Sequence, residues 1–329
     1  MTPGIPKAEI HCHIEGAAMP ELVLAQALKY GADVCGFLSA EKGYVWHDFT
    51  SFLAAYDGAA ALFRTQEDYA ALSQTYLDSL AGQGAIYSEF FISTDHAAEA
   101  GLSARAYVEG LAEGMRRAKA SSGIESRMIP TGLRHMGPQA VERAAQTAIA
   151  LDHPLIAGFG MAGDERMHHP RDFVRAFDIA REAGLGITVH AGELVGWESV
   201  EAALDYLNPS RIGHGVRAIE NRRLVERIAA EGVVLEACPV SNIALGVFPS
   251  FAAHPFPALQ RAGCRMTLNS DDPPHFHSSL AREYEVAERE WGYDRAELVG
   301  FTRTAIEAAF IDGESRAALL EKCTLDGIG

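Results

Sequence analysis

Pro170-Arg-Asp-Phe-Val-Arg-Ala-Phe-Asp-Ile-Ala-Arg-Glu-Ala-Gly-Leu-Gly-Ile-Thr-Val-His190 is one complete helix-to-strand unit, and its reading decides the architecture. Phe173, Phe177 and Ala180 recur at the spacing of a single helical face. Pro170 suits a first helical turn, where a missing N–H costs nothing, and Gly184 suits the stop. The apolar Gly-Ile-Thr-Val that follows reads as a buried strand, and it closes on His190. Working outward, Leu224, Val225 and Ile228 ahead of Gly232 repeat the helical pattern, and Asp294 with Glu297 reads as a capping box opening a helix that runs to about Phe310. Strand-like runs at 8–13, 85–91, 126–132, 155–159, 186–190, 211–213, 233–236 and 265–268 alternate with such helices, which is the pattern of a parallel sheet with crossovers.

Eight units of this kind make either a doubly wound open sheet or an α/β (β/α)8 TIM barrel. The first run is not followed by a Gly-rich dinucleotide loop, which favours the barrel. At 329 residues the chain suits one barrel with insertions, so a single domain over residues 1–329 is expected. Residues 37–66 break the alternation as a helical insertion after the first strand. Trp46, Phe49, Phe52, Tyr56 and Phe63 recur there at roughly helical spacing. This aromatic stripe reads either as a face packed on the barrel or as an apolar lid that excludes water.

The formal charge of −16 repels polyanions, so nucleic acid and anionic membranes are not expected as partners, whereas a neutral or cationic small molecule is. The chain is 48% hydrophobic but has no apolar run long enough to span a bilayer. Residues 1–7 lack the apolar core of a signal peptide, and a cytoplasmic location is the expectation. Five scattered cysteines, with no C-x-x-C pair, read as small buried residues rather than as disulfides or a thiolate cage.

Side chains at the carboxyl ends of barrel strands gather on one face. His11 and His13 are two apart on a β-run, which turns both imidazoles to the same side. His190 closes the fifth run, and Asp271 follows the eighth. Three imidazoles and one carboxylate suit Zn2+ better than Ca2+ or Mg2+, which prefer all-oxygen shells. A water would then be a fifth ligand, or one contact would be long. Glu193 lies three residues past His190, placed to face a metal without binding it. His214 ends the sixth run between two glycines, and Asp272 adjoins Asp271 before two prolines. The loop histidines His47, His96, His153, His168, His169 and His254 read as solvated or locally hydrogen-bonded.

At these residues the sequence resembles the adenosine and AMP deaminase family of metal-dependent hydrolases. Pro6-Lys-Ala-Glu-Ile-His-Cys-His-Ile-Glu-Gly16, Gly163-Asp-Glu165, Thr188-Val-His-Ala-Gly-Glu193, Arg211-Ile-Gly-His-Gly215, Cys238-Pro-Val-Ser-Asn242 and Asn269-Ser-Asp-Asp-Pro273 match its blocks in order. The resemblance implies one zinc per chain on His11, His13, His190 and Asp271, with Asp271 also helping to hold the attacking oxygen. It further implies that Glu193 protonates purine N1, that His214 activates the attacking water, and that Asp272 and the backbone of Gly163 contact N7 and N3. The implied reaction is hydrolytic deamination of adenosine and 2′-deoxyadenosine in purine salvage; the alternative is adenine or another 6-aminopurine.

Three departures bear on that choice. Glu15 stands where many adenosine deaminases carry the Asp implicated in holding the 5′-hydroxyl, and Glu there is frequent in relatives acting on adenine. Gly160 and Phe91 replace an expected Asp and Arg. The triplet Gly163-Asp-Glu165 points the other way, to adenosine. A different zinc hydrolase on the same barrel is a competing reading. The lack of lysine at 155–159, where two-metal relatives carry a bridging one, speaks for a single metal.

Overall fold

Helical crossovers between the apolar runs give them the connections needed to pair in parallel. In the computed structural model, which describes residues 4–39 and 41–323, they do so around a barrel. The strands are β1 (Lys7–Glu9), β4 (Ala85–Ile92), β5 (Glu125–Leu133), β6 (Gly158–Ala162), β7 (Gly186–Ala191), β8 (Arg211–His214), β9 (Val234–Ala237) and β10 (Arg265–Leu268). A separate hairpin joins β2 (Leu38–Ser39) to β3 (Gly43–Tyr44). The eight-stranded sheet runs β1-β4-β5-β6-β7-β8-β9-β10, each strand parallel to the next. Residues 1–3, the start of the segment expected to lack a signal peptide, and 324–329, the end of the expected domain, lie outside the described residues.

The seam between β10 and β1 is closed without a regular ladder. Cys12 bridges Asp271 in parallel, the Asp271 N–H donates to His11 O at 3.2 Å, and the His13 N–H donates to Asp271 O at 3.0 Å. The Asn269 side chain supplies the next link, accepting from Ile10 N at 3.0 Å and donating to Ala237 O at 3.1 Å. The first run, expected over 8–13, is therefore a short ladder followed by isolated bridges. Those bridges hold the two histidines at the barrel mouth.

The helices fall where the punctuation places them. Val174–Glu182 follows a short turn from Pro170, Arg222–Glu231 ends at Gly232 with φ 71°, and the Asp294 capping box opens Arg295–Ala308. The fourth strand is displaced from its expected start at Leu155 to Gly158. Leu155 and Ile156 are only partly buried, and Ile156 makes one isolated bridge to Met128. The strand itself begins at a close approach: a Cβ on Gly158 would lie 2.5 Å from the Phe310 ring. Apolar patterning cannot register a strand defined by the lack of a side chain.

Between β1 and β4 lie the helices Pro20–Tyr30, Phe49–Ala60 and Gln66–Gly82. Asp48 caps the second of these, accepting from Ser51 N at 2.7 Å. The aromatic stripe divides. Phe63 joins the main core, whereas Phe52 and Tyr56 cluster with Phe276, packed by Trp46 and Phe49. Trp46 Nε1 donates to His275 O at 3.0 Å and ties the insertion to the segment that follows Asp272. Cys12, Cys238, Cys264 and Cys323 are buried and free as expected, but Cys35 is exposed. Among the described residues no helix is long and apolar enough to cross a membrane.

Candidate active site and metal centre

Strand ends bring the sequence-distant groups together. Nε2 of His11 and Nε2 of His13 each lie 3.5 Å from Asp271 Oδ1, and His13 Nε2 is 3.1 Å from His190 Nε2. Ligand atoms of His11, His190, His214 and Asp271 all fall within 4.8 Å of one another, as do those of His13, Asp271 and Asp272. His214 and Asp271 adopt left-handed backbone, φ 58° and 64°. Such conformations cost on the order of 1 kcal/mol or more each and persist where the surroundings over-determine them. Gly213 is required by crowding. A Cβ there would meet His11 Cε1 at 2.8 Å and His190 Cγ at 3.2 Å.

The electrostatics favour a cation at this point. His11 is wholly buried, which alone would lower its pKa, yet the neighbouring carboxylates of Asp271 and Glu236 push it up to about 9. A potential that holds a proton there also holds a metal ion. Burial keeps the other imidazoles neutral, with His13 lowered to about 4, His214 to about 3 and His190 well below its ordinary value. Neutral imidazole is the ligand form. His11 Nε2 is buried without a hydrogen-bond partner, as a nitrogen reserved for coordination would be. The set of three imidazoles and one carboxylate therefore fits a borderline divalent cation.

Glu193 and Asp272 behave in the opposite way. Burial, then the charges of Asp271 and Glu165, raise Glu193 well above the carboxylate range. Burial, then the charges of Asp271 and Glu193, do the same to Asp272, whose Oδ1 has no partner. Asp271 alone stays ionised, held low by His11, His214 and His13 against its own burial. Two of the carboxyls can thus donate hydrogen bonds while the third carries the negative charge.

Several residues that orient this set were not singled out by sequence reasoning. Glu236, on β9, accepts from His11 Nδ1 at 2.8 Å and fixes which nitrogen faces inward. Arg211 holds Glu236 at 2.6 Å and Glu89 at 2.6 Å. Ser241 Oγ donates to Asp271 Oδ2 at 2.6 Å. Asn242 Nδ2 lies 3.2 Å from His214 Nδ1, and Asn242 Oδ1 lies 3.1 Å from His254 Nε2; His254 is thus buried and hydrogen-bonded, the second of the two states expected of it, and anchors Asn242. Ser241 and Asn242 lie in a motif noticed for its resemblance. Glu236 carried a signal of its own, an acid inside the apolar run Val-Val-Leu-Glu.

A pocket opens onto these groups. Glu193, His214, Asp271, Asp272, His13, His190 and Gly163 line it. Phe49, Phe52, Leu53, Tyr56, Leu245 and Phe276 line it as well, so part of the aromatic stripe faces the site. Asp57, His96 and His135 also face it, none of them anticipated. Asp57 and His96 pair with each other at 3.1 Å. Glu15 is not among the lining residues; its buried carboxyl accepts from Tyr107 and, at 3.3 Å, from Tyr56.

Strand-end imidazoles and carboxylates over a closed parallel barrel define a metal-dependent hydrolase. The family profile described as Adenosine deaminase matches residues 6–325, and the chain belongs to that family. It is an aminohydrolase. An adenine deaminase of Chelativorans sp. (strain BNC1) is 69% identical over 316 residues, covering 96% of this chain and 97% of that protein. The crystal structure of adenine deaminase from Arthrobacter aurescens superposes with a TM-score of 0.90 at 30% identity, over 97% of this chain and 98% of that one. An amidohydrolase from Burkhoderia ambifaria with bound Zn does so at 0.88 and 26% identity, over 97% and 89%.

These relatives correct the expectation of adenosine, and the structure shows why the sequence misled. Neither carboxylate of the Gly163-Asp-Glu165 triplet lines the pocket. Asp164 pairs with Arg166 at 2.7 Å, and Glu165 is turned to the backbone of residues 192–195. Phe91 and Gly160 are a packing matter. The Phe91 ring stands edge-on to His11 with centroids 4.8 Å apart, and a Cβ on Gly160 would lie 3.5 Å from it.

Proposed function

We propose that the chain is a zinc-dependent adenine deaminase, converting adenine and water to hypoxanthine and ammonia. The observation that carries this reading is a buried Glu193 carboxyl, pushed up by its burial, 3.6 Å from His214 Nε2 and in one pocket with Asp271. His11, His13, His190 and Asp271 would hold the zinc ion. When bound, zinc supplies the Lewis acidity that makes a water nucleophilic near neutral pH.

The side chains supply the remainder. Glu193 gives its proton to purine N1, which leaves C6 electron-poor and open to attack. His214, neutral and oriented by Asn242, orients the attacking water and takes up its proton as the C6–O bond forms. Asp272, kept protonated, donates to N7, and the Gly163 backbone faces N3. The C6–N bond then breaks. One proton of the water leaves with the amino group as ammonia and the other restores Glu193.

Free adenine suits the walls of this pocket. Ribose hydroxyls need polar partners, and a site that leaves them unpaired rejects the nucleoside. Glu15 is already engaged by two tyrosines, Asp57 and His96 bond each other, and Phe49, Phe52, Leu53, Leu245 and Phe276 add apolar lining. In this reading residues 1–329 act as one catalytic domain on a neutral small molecule in the cytoplasm, where unpaired cysteines persist. An ammonia-release panel of adenine, adenosine, 2′-deoxyadenosine and AMP tests it. Adenine is expected to exceed the nucleosides by about 100-fold or more in kcat/KM. Equal or faster release from adenosine refutes the substrate assignment.

A further inference from the structure

The turn that carries Glu193 has no regular secondary structure to hold its amides. Residues 192–195 lie between the end of β7 and the helix Trp197–Leu207. Their N–H groups converge instead on one side chain from another loop. Gly192 N donates to Glu165 Oε1 at 2.5 Å, and Glu193, Leu194 and Val195 N donate to Oε2 at 3.1, 2.7 and 2.9 Å. Glu165 is 3% exposed, so these bonds are shielded from water. A carboxylate in a cradle of backbone amides makes charge-assisted bonds of roughly twice the usual strength.

The loop that delivers Glu165 is itself pinned. Arg134 Nε donates to Met167 O at 2.6 Å and Nη2 to His168 O at 2.7 Å. On its other side the turn is held by its carbonyls, with Arg217 N on Gly192 O at 3.0 Å and Arg217 Nη1 on Leu194 O at 2.9 Å. Glu165 also sits two residues from Gly163, which lines the pocket. One carboxylate thus ties the wall at Gly163 to the backbone of Glu193.

We infer that Glu165 is a positioning residue, which sets the Glu193 carboxyl against the purine ring by clamping the four amides of its turn. This rests on Glu193 being the proton donor. A catalytic group displaced by about 1 Å loses on the order of 100-fold in rate. Glu165→Gln keeps the shape but loses the charge and one acceptor oxygen. It is expected to lower kcat with adenine about 100-fold, with a smaller change in KM and unchanged metal content.

The double variant Glu165→Gln/Glu193→Gln distinguishes positioning from general weakening. Acting only through Glu193, the first change adds nothing to the second, so the double variant turns over no more slowly than Glu193→Gln alone. A loss equal to the product of the two single losses overturns the inference, as does full turnover in Glu165→Gln. Undiminished turnover in Glu193→Gln overturns the proton-donor reading instead. Amide hydrogen exchange on the unaltered protein needs no variant to fold. Amides 192–195 are expected among the slowly exchanging class, and rapid exchange there contradicts the clamp.

Discussion

Glu193→Gln is expected to keep its metal and to lose turnover by roughly 10^2- to 10^4-fold, the usual contribution of a positioned acid or base. Glutamine matches the volume of the buried glutamate. The neutral amide also resembles the protonated acid in charge, so the pocket should persist. What it lacks is a proton to deliver to N1. Glu193 does not belong to either cluster of ligand atoms, so its replacement leaves His11, His13, His190 and Asp271 in place. Metal content near that of the unaltered chain, with kcat reduced and KM for adenine little changed, is the signature of an interaction made chiefly in the transition state. Retained turnover removes Glu193 from the mechanism.

The largest structural effect is expected at Arg211. Its guanidinium is fully buried between Glu89 and Glu236, 2.6 Å from each, and lies over the Phe310 ring at 3.7 Å from its centroid. Arg211→Leu leaves two carboxylates buried without their cation, and breaking a buried pair this way costs about 3–5 kcal/mol. That is a large part of the 5–15 kcal/mol by which domains are typically stable. The damage reaches the site because Glu236 also orients His11. Burial alone would raise the Glu236 pKa, and the charge of Arg211 is what holds it down. Denaturant unfolding and metal analysis of the variant should show both losses together. An unchanged midpoint contradicts the account of the network.

The strand-end histidines were legible because two independent signals coincide on them. Apolar runs mark the strands, and a polar residue closing such a run can only face the barrel mouth. His190 and His214 are of this kind. The seam was not legible: Asn269 substitutes a side chain for backbone, and nothing in local sequence marks such a link. Glu236 and Arg211 are buried charges whose meaning depends on a partner many residues away. Gly158 begins a strand by lacking a side chain. Glu15 shows the limit most clearly. Its identity bears on the substrate, but only the structure shows its carboxyl turned to Tyr107 and Tyr56 rather than to the pocket. The acids of the Gly163-Asp-Glu165 triplet likewise face a neighbouring arginine and a neighbouring turn, so the triplet is no guide to ribose.

The most direct measurement is a zinc titration of chelator-stripped protein with adenine as substrate, following hypoxanthine and ammonia together. The account predicts negligible turnover without metal, activity rising in proportion to zinc and saturating at one ion per chain, and equal amounts of the two products. Turnover undiminished after stripping, or saturation only at two ions per chain, would contradict it.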